Sequence, residues 1–113
     1  MGPFLQVGGH WQMKQDNGFW VTVDIRQDQD HLTASAVSSR NVHSTEATGF
    51  VNGPHFELTI KWVGGAIGKY TADLTHGPFT QPPIGFLQGE TKDLLHPESH
   101  TTWHSEGRVF QFA

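Results

Sequence analysis

Apolar and polar residues alternate with a period of two along most of this chain. In residues 19–26 every second residue is apolar, from Phe19 to Ile25, and the residues between them are mostly polar. A β-strand points successive side chains to opposite faces, so this alternation predicts strands with one buried face. About eight short strands are predicted in this way. They cover residues 10–14, 19–26, 31–38, 47–51, 55–62, 67–74, 84–90 and 101–104, the last continued by 109–112.

Turn-forming residues separate the predicted strands. Asn17-Gly18 is a strong hairpin signal because both residues tolerate a positive φ, and Gly64-Gly65 marks another turn. Residues 76–83 carry three prolines and cannot form a central strand. Residues 93–100 have room for one helical turn. Short strands joined by short connections predict an all-β fold, an eight-stranded antiparallel up-and-down β-barrel, which leaves no exposed edges and can hold one small ligand.

The composition agrees with one small all-β domain. The chain has 113 residues, which we assign to a single barrel domain over 1–113 with an N-terminal tail over 1–8. Glycine contributes 13 residues and aromatic side chains 12%, whereas only 16% of the residues are charged. This profile suits strands and tight turns, because glycine is a poor helix former and aromatic residues favour strands.

Charge and cysteine content exclude several function classes. The net charge is −4 at pH 7, and no cluster of Lys and Arg offers a phosphate-binding patch, so nucleic acid is not an expected partner. Without cysteine, disulfides and thiolate metal sites are impossible. No apolar run approaches the ~18 residues of a membrane-spanning helix. Residues 1–9 lack the layout of a signal peptide, so the chain is expected to be cytoplasmic, or secreted with its leader removed.

Gly9-His10-Trp11, at the start of the first predicted strand, resembles the G-x-W motif of the calycins, which include the lipocalin and avidin barrels. In that group the tryptophan closes the barrel floor, and a basic residue of the last strand packs over it. The resemblance therefore implies structural roles for Gly9, Trp11 and Arg108, with a cation–π contact of ~0.5–2 kcal/mol. The chain length and further short matches resemble the avidin and streptavidin branch. These matches are residues 18–22, 58–62, 70–72, 86–87, 102–104 and 109–110.

The same resemblance implies a ligand site. The four positions of the aromatic cage hold Trp62, Tyr70, Phe86 and Trp103. The four positions of the polar clamp hold Met13, Asn17, Ala36 and Ser38, and the position of a late carboxylate or amide holds Arg108. Two clamp positions are thus apolar, and a buried polar group without a partner costs roughly 1–3 kcal/mol. Biotin is therefore not the expected ligand, and the remaining clamp residues, Asn17 and Ser38, are expected to orient some other molecule.

Several of these residues allow a second interpretation. The cage aromatics are also suited to an ordinary core, because an eight-stranded barrel needs bulky inward side chains. Small inward residues such as Gly68 and Ala72 favour a cavity instead. Trp20 shares its face with polar residues and is expected outside the barrel, as an oligomer contact or as a stacking platform for a sugar ring.

The histidines are the only candidate metal ligands of note. His96, His100 and His104 recur every four residues, as on a helix face. Pro97 and the strand-like residues after His100 argue against that helix, and Glu98 is the nearest carboxylate. We therefore predict solvated loop histidines and no metal site.

Catalytic motifs are absent from the sequence. It contains no nucleophile elbow, no metalloprotease motif and no phosphate-binding loop, and nothing in it implies a cofactor. A pair such as Asp24 with Glu57 or His55 would have to meet across strands. A cofactor-free cyclase or isomerase acts mainly by positioning its substrate and needs few polar residues, so this enzyme class stays open.

The expected function is the binding of a compact apolar or amphipathic small molecule in an aromatic-lined barrel mouth. The two alternatives are a lectin-like carbohydrate-binding protein that uses Trp20 and the rim loops, and the cofactor-free barrel enzyme. We also expect a homo-oligomer, either a dimer or a tetramer, because the flank formed by residues 20–23 is unusually free of charge.

Overall fold

The strands form a closed barrel with a short additional sheet. A computed structural model describes residues 4–76, 85–96, 98–106 and 110–112. Its strands are β1 (Leu5–Gln6), β2 (Gly9–Gln15), β3 (Trp20–Asp28), β4 (His31–Ser38), β5 (Ser44–Asn52), β6 (His55–Trp62), β7 (Ile67–His76), β8 (Gly85–Asp93), β9 (His100–Glu106) and β10 (Gln111–Phe112). Within the described ranges no helix is long and apolar enough to cross a membrane.

The barrel has the predicted eight-stranded up-and-down order. Each strand from β2 to β8 pairs antiparallel with the next one along the chain, and β9 pairs with β2 to close the sheet. At the closure, Gln12 lies opposite Glu106 and Gln15 lies opposite Trp103. Alternate residues of each strand point inward, which is the alternation seen in the sequence. The predicted all-β fold class is confirmed.

The segment predicted as an N-terminal tail contains β1. Leu5 pairs with Phe112 of β10, and both Leu5 and Val7 are fully buried. The last predicted strand is divided in two, since β9 ends at Glu106 and β10 belongs to the small sheet rather than to the barrel. Residues 107–109 between them lie outside the described part of the chain.

Aromatic side chains fill one end of the barrel. Trp11 packs edge-on against Phe110, with ring centroids 4.9 Å apart, and edge-on against Phe56 at 5.8 Å. Its indole nitrogen donates a hydrogen bond to the Val7 carbonyl at 2.9 Å. Trp103 stacks on Trp11, with ring centroids 6.4 Å apart. These contacts close this end, so any opening must lie at the other end, where β2, β4, β6 and β8 finish.

The helical turn predicted at residues 93–100 is not found in the described part of the chain. Strand β8 continues to Asp93 and β9 begins at His100, while residues 94–96 form bends. The backbone N–H of Asp93 donates to the Ser99 carbonyl at 3.1 Å, which closes the loop in hairpin fashion. His100 and His104 therefore lie on the exposed face of a strand and His96 in a loop, rather than on one helix face.

Candidate ligand-binding site

Two adjoining cavities occupy the open end of the barrel. The inner cavity has a volume of about 180 Å³, and the outer cavity, nearer the loops, has a volume of about 540 Å³. We call the two together the mouth. The residues that line both cavities are Gln15, Asn17, Trp62, Ala66, Tyr70, Asp93 and Ser99.

Trp62 and Tyr70 form the aromatic wall of the mouth. Trp62 is the last residue of β6 and is half-buried, whereas Tyr70 on β7 is only 4% exposed. Gly68 lies between the two rings. A Cβ atom at Gly68 would stand 3.3 Å from Tyr70 Cε1 and 3.6 Å from Trp62 Nε1. The absence of a side chain at Gly68 therefore lets both rings approach this strand closely, and the three residues together line the inner cavity.

Tyr70 belongs to a chain of neutral hydrogen-bonding groups. The side-chain amide nitrogen of Gln15 donates a hydrogen bond to the Tyr70 hydroxyl oxygen at 2.7 Å. The Tyr70 hydroxyl also forms a hydrogen bond with the side chain of Thr91. Desolvation by burial raises the pKa of Tyr70 from 10.0 to about 12, against the smaller lowering effects of the hydrogen bonds to Thr91 and Gln15. The inner end of the mouth therefore holds a phenol that stays protonated throughout the physiological range.

The raised pKa of Tyr70 can be measured directly, because Tyr70 is the single tyrosine of the chain. Its folded-state pKa is raised, so the stability this group contributes is present below pH 10 and is lost as the pH rises from 10 towards 12. Tyrosinate absorbance should therefore have a midpoint well above 10 in the folded protein and near 10 in concentrated urea. A native midpoint near 10 would show that the hydroxyl is exposed to water.

Asn17 and Ser38 line the outer cavity, but both side chains already hold the local backbone. The side-chain oxygen of Asn17 accepts a hydrogen bond from the backbone N–H of Phe19 at 3.1 Å. The Ser38 hydroxyl oxygen accepts from the backbone N–H groups of Arg40 at 3.3 Å and Val42 at 3.1 Å. Each side chain can still donate a hydrogen bond to a ligand. Asn17 would donate from its side-chain NH₂ group and Ser38 from its hydroxyl group.

Trp103 and Phe86 do not line the mouth. Trp103 is 1% exposed, its indole nitrogen donates to the Glu90 carbonyl at 3.0 Å, and its ring contacts Tyr70 edge-on at 5.9 Å. It is therefore a core residue beneath the inner cavity. Phe86 lies on the outer face of β8 and is 37% exposed, because Leu87 takes the inward position. The structure thus brings two of the four expected cage residues, Trp62 and Tyr70, together at the mouth.

The remaining positions taken from the calycin resemblance lie elsewhere. Met13 and Ala36 are buried core residues, so neither clamp position reaches a cavity. Gly9, with φ at 122°, starts β2, and Trp11 lies in the aromatic cluster at the closed end. Arg108, the expected partner of Trp11, lies outside the described residues.

Sequence reasoning missed the polar residues of strands β2 and β8. Gln15 and Asp93 both point inward at the mouth, as does Thr91. The period-two rule marks inward positions by their apolar residues, so polar residues at a strand end read as loop. Continuing the inward phase of each strand to its last residue would have found them. Among the described residues, no three His, Asp or Glu side chains are grouped as ligands for a metal ion.

Comparison with known proteins supplies a structural neighbour and no sequence family. No model of a protein family and no curated protein matches the sequence with significance. Among solved structures, the chain is similar to EF1p2_mFAP2b bound to DFHBI. The superposition has a TM-score of 0.51 and covers 94% of this chain and 93% of the other, at 10% sequence identity. At that identity the likeness concerns the fold alone.

Proposed function

We propose that this protein binds a compact amphipathic small molecule in the mouth of the barrel. The observation that carries the proposal is the inner cavity that Trp62, Gly68 and Tyr70 line at one end of an otherwise filled barrel. Ligand sites are typically concave and lined by aromatic groups with a few placed polar groups. The mouth has this composition, since its aromatic wall adjoins the polar side chains of Gln15 and Asp93.

The division of the barrel into a filled end and an open end supports this proposal. The aromatic cluster around Trp11 fills the closed end of the barrel. Displacing any ring of this cluster would leave a void, so a ligand is not expected there. At the other end, two cavities meet at the half-buried ring of Trp62. A ligand lying against that ring would bury apolar surface, at roughly 25 cal/mol per Å². The solved neighbour of similar fold is itself bound to DFHBI.

Gly68→Val is expected to weaken ligand binding at least tenfold, because its side chain would take up space in the inner cavity beside Trp62 and Tyr70. The new Cβ atom requires the Tyr70 ring to shift by a few tenths of an ångström, and valine is favoured in strands, so we expect the barrel to remain folded. Binding would be measured as quenching of tryptophan fluorescence, first with DFHBI and then with a panel of small fused-ring aromatic compounds. Trp62→Phe should remove most of the quenching.

The matched control is Thr71→Val on the outer face of the same strand. It introduces the same side chain outside the mouth, and its ligand affinity should stay within about twofold of the wild type. Equal quenching of Gly68→Val and of wild-type protein would exclude the mouth as the site. Absence of quenching by every compound would contradict the proposed function.

A carbohydrate-binding function is the second candidate, and the exposure of Trp20 favours it. This side chain is 44% exposed at the start of β3 and lines the outer cavity together with Asn17 and Arg40. An exposed indole beside polar groups can stack on a sugar ring. The same exposed face would serve the homo-oligomer that the sequence led us to expect. Absence of signal on a glycan array would exclude carbohydrate binding. A monomer in sedimentation would exclude the homo-oligomer.

A further inference from the structure

We infer that the ligand of the mouth is an organic cation, an amine or ammonium attached to a small ring, with Asp93 as its counter-ion. The inference rests on the proposed function and adds the charge of the ligand to it. It follows from the position of one carboxylate beside the aromatic wall.

Asp93 is unusual because it is a charged side chain on the inner face of the barrel. Residues 85, 87, 89, 91 and 93 form the inward series of β8, and Lys92 between the last two points outward. Among the described side chains of strands β2 to β9, Asp93 is the one inward residue that carries a charge. It is half-buried and lines both cavities.

Strand register places Asp93 next to the aromatic wall. Its partner on β7 is Gly68, which lines the inner cavity together with Trp62 and Tyr70. Directly opposite residues of neighbouring strands point to the same face, with Cβ positions about 5 Å apart. A group that enters the inner cavity therefore meets two aromatic rings and one carboxylate.

One oxygen of this carboxylate has a structural partner and the other is available. Asp93 Oδ1 accepts from the backbone N–H of Leu95 at 2.9 Å. No Lys, Arg or His of the described residues forms an ion pair with Asp93. The remaining oxygen can therefore accept from a ligand.

The basic residues near the mouth do not compensate this charge. Lys92 and His100 border the inner cavity, but both are exposed residues of the outward series of β8 and β9, and neither forms an ion pair with Asp93. The Arg40 guanidinium lies 4.5 Å from the centre of the Phe19 ring, on the rim of the outer cavity. An anionic ligand would have to bring its charge towards Asp93 to reach the aromatic wall, whereas a cation is attracted by both the carboxylate and the ring faces.

The test compares three probes that share one ring and differ in charge, namely phenethylamine, phenethyl alcohol and hydrocinnamate, by calorimetry at pH 7. We expect the ammonium form of phenethylamine to bind roughly tenfold more tightly than the alcohol, and the carboxylate to bind most weakly. Asp93→Asn retains an oxygen for the Leu95 N–H and should bring the amine and the alcohol within about twofold of each other. Asp24→Asn, an equal charge change on the outer face of β3, should preserve the preference.

The possible results distinguish the inferred ligand charge from the proposed binding function. If the alcohol or the carboxylate binds wild-type protein as tightly as the amine, or if Asp93→Asn keeps the preference, the inference is overturned while the mouth remains a binding site. If no probe of this series binds although aromatic compounds quench tryptophan fluorescence, the inference alone fails. If neither binding nor quenching occurs, the proposed function falls together with it.

Discussion

Gly89→Ala should lower the free energy of unfolding by about 3 kcal/mol or more, because the barrel has no room for a methyl group at this position. A Cβ atom on Gly89 would stand 1.9 Å from the Thr71 carbonyl oxygen and 2.5 Å from the Ala72 Cα atom. Both are backbone atoms of the paired strand β7, so the two strands would have to separate. Gly49 on β5 has the same relation to β6, with the Glu57 carbonyl oxygen 2.0 Å from its Cβ position. Glycines at such close approaches allow a small barrel to bend its strands and close.

Gly8→Ala is the matched control for this substitution. A Cβ atom at Gly8 would come no nearer than 3.5 Å to its neighbours, which is an ordinary van der Waals contact. Its effect on stability should stay within about 1 kcal/mol. Urea denaturation followed by circular dichroism gives both values. Equal midpoints for Gly89→Ala and Gly8→Ala would show that the strands accept the methyl group and would refute the close-approach argument.

The alternation of apolar residues was sufficient to predict the central strands of the barrel. Strands β4 (His31–Ser38) and β6 (His55–Trp62) have the predicted ends, because regular alternation stops at turn residues on both sides. Strand β5 begins at Ser44, three residues before its predicted start at Ala47. A register shift between Ser44 and Glu46 interrupts the period there, and the polar run around it reads as loop.

The two-stranded sheet of β1 and β10 could not be predicted from local sequence patterns. β1 and β10 have two residues each, and their pairing joins the two ends of the chain. A period of two cannot be recognised in two residues, and a contact across the whole sequence leaves no local signal. The last predicted strand, residues 101–104 continued by 109–112, is divided because β10 pairs with β1, although Phe110 still forms an antiparallel bridge with Gly85 of β8.

The candidate site was predictable where its residues follow the alternation. Trp62 and Tyr70 are inward by phase and do lie at the mouth. Phe86 matched by residue type but is out of phase with Leu87, so it lies outside. Trp103 is inward, but contacts with Trp11 and Phe56 place it in the core, and those contacts depend on the closure of the barrel. Asp93 is a polar inward residue at the end of β8, and the apolar alternation alone does not mark such a position.

Gln27→Met should lower the free energy of unfolding by about 3 kcal/mol, because one carboxamide fastens the chain that precedes the barrel. Its oxygen accepts from the backbone N–H of Val7 at 2.8 Å and of Gly8 at 3.2 Å. Its nitrogen donates to the carbonyls of Leu5 and Gln29, each at 2.8 Å. Methionine has the same length and none of these donors or acceptors, so the buried groups of Leu5 and Val7 would lose a partner at a cost of roughly 1–3 kcal/mol each.

The effect of Gln27→Met should extend to the closed end of the barrel, because the Val7 carbonyl accepts from the Trp11 indole N–H. Hydrogen exchange should accelerate at the Val7 amide and at the Trp11 indole together, before the strands of the barrel open. Gln12→Met is the control, since it makes the same change on the exposed face of β2, where the Gln12 amide has one long contact of 3.5 Å to Thr22. If both variants unfold at the same urea concentration, Gln27 does not hold this end closed. If exchange rises at Val7 but not at Trp11, the indole is held by its packing against Phe110 rather than by the Val7 carbonyl.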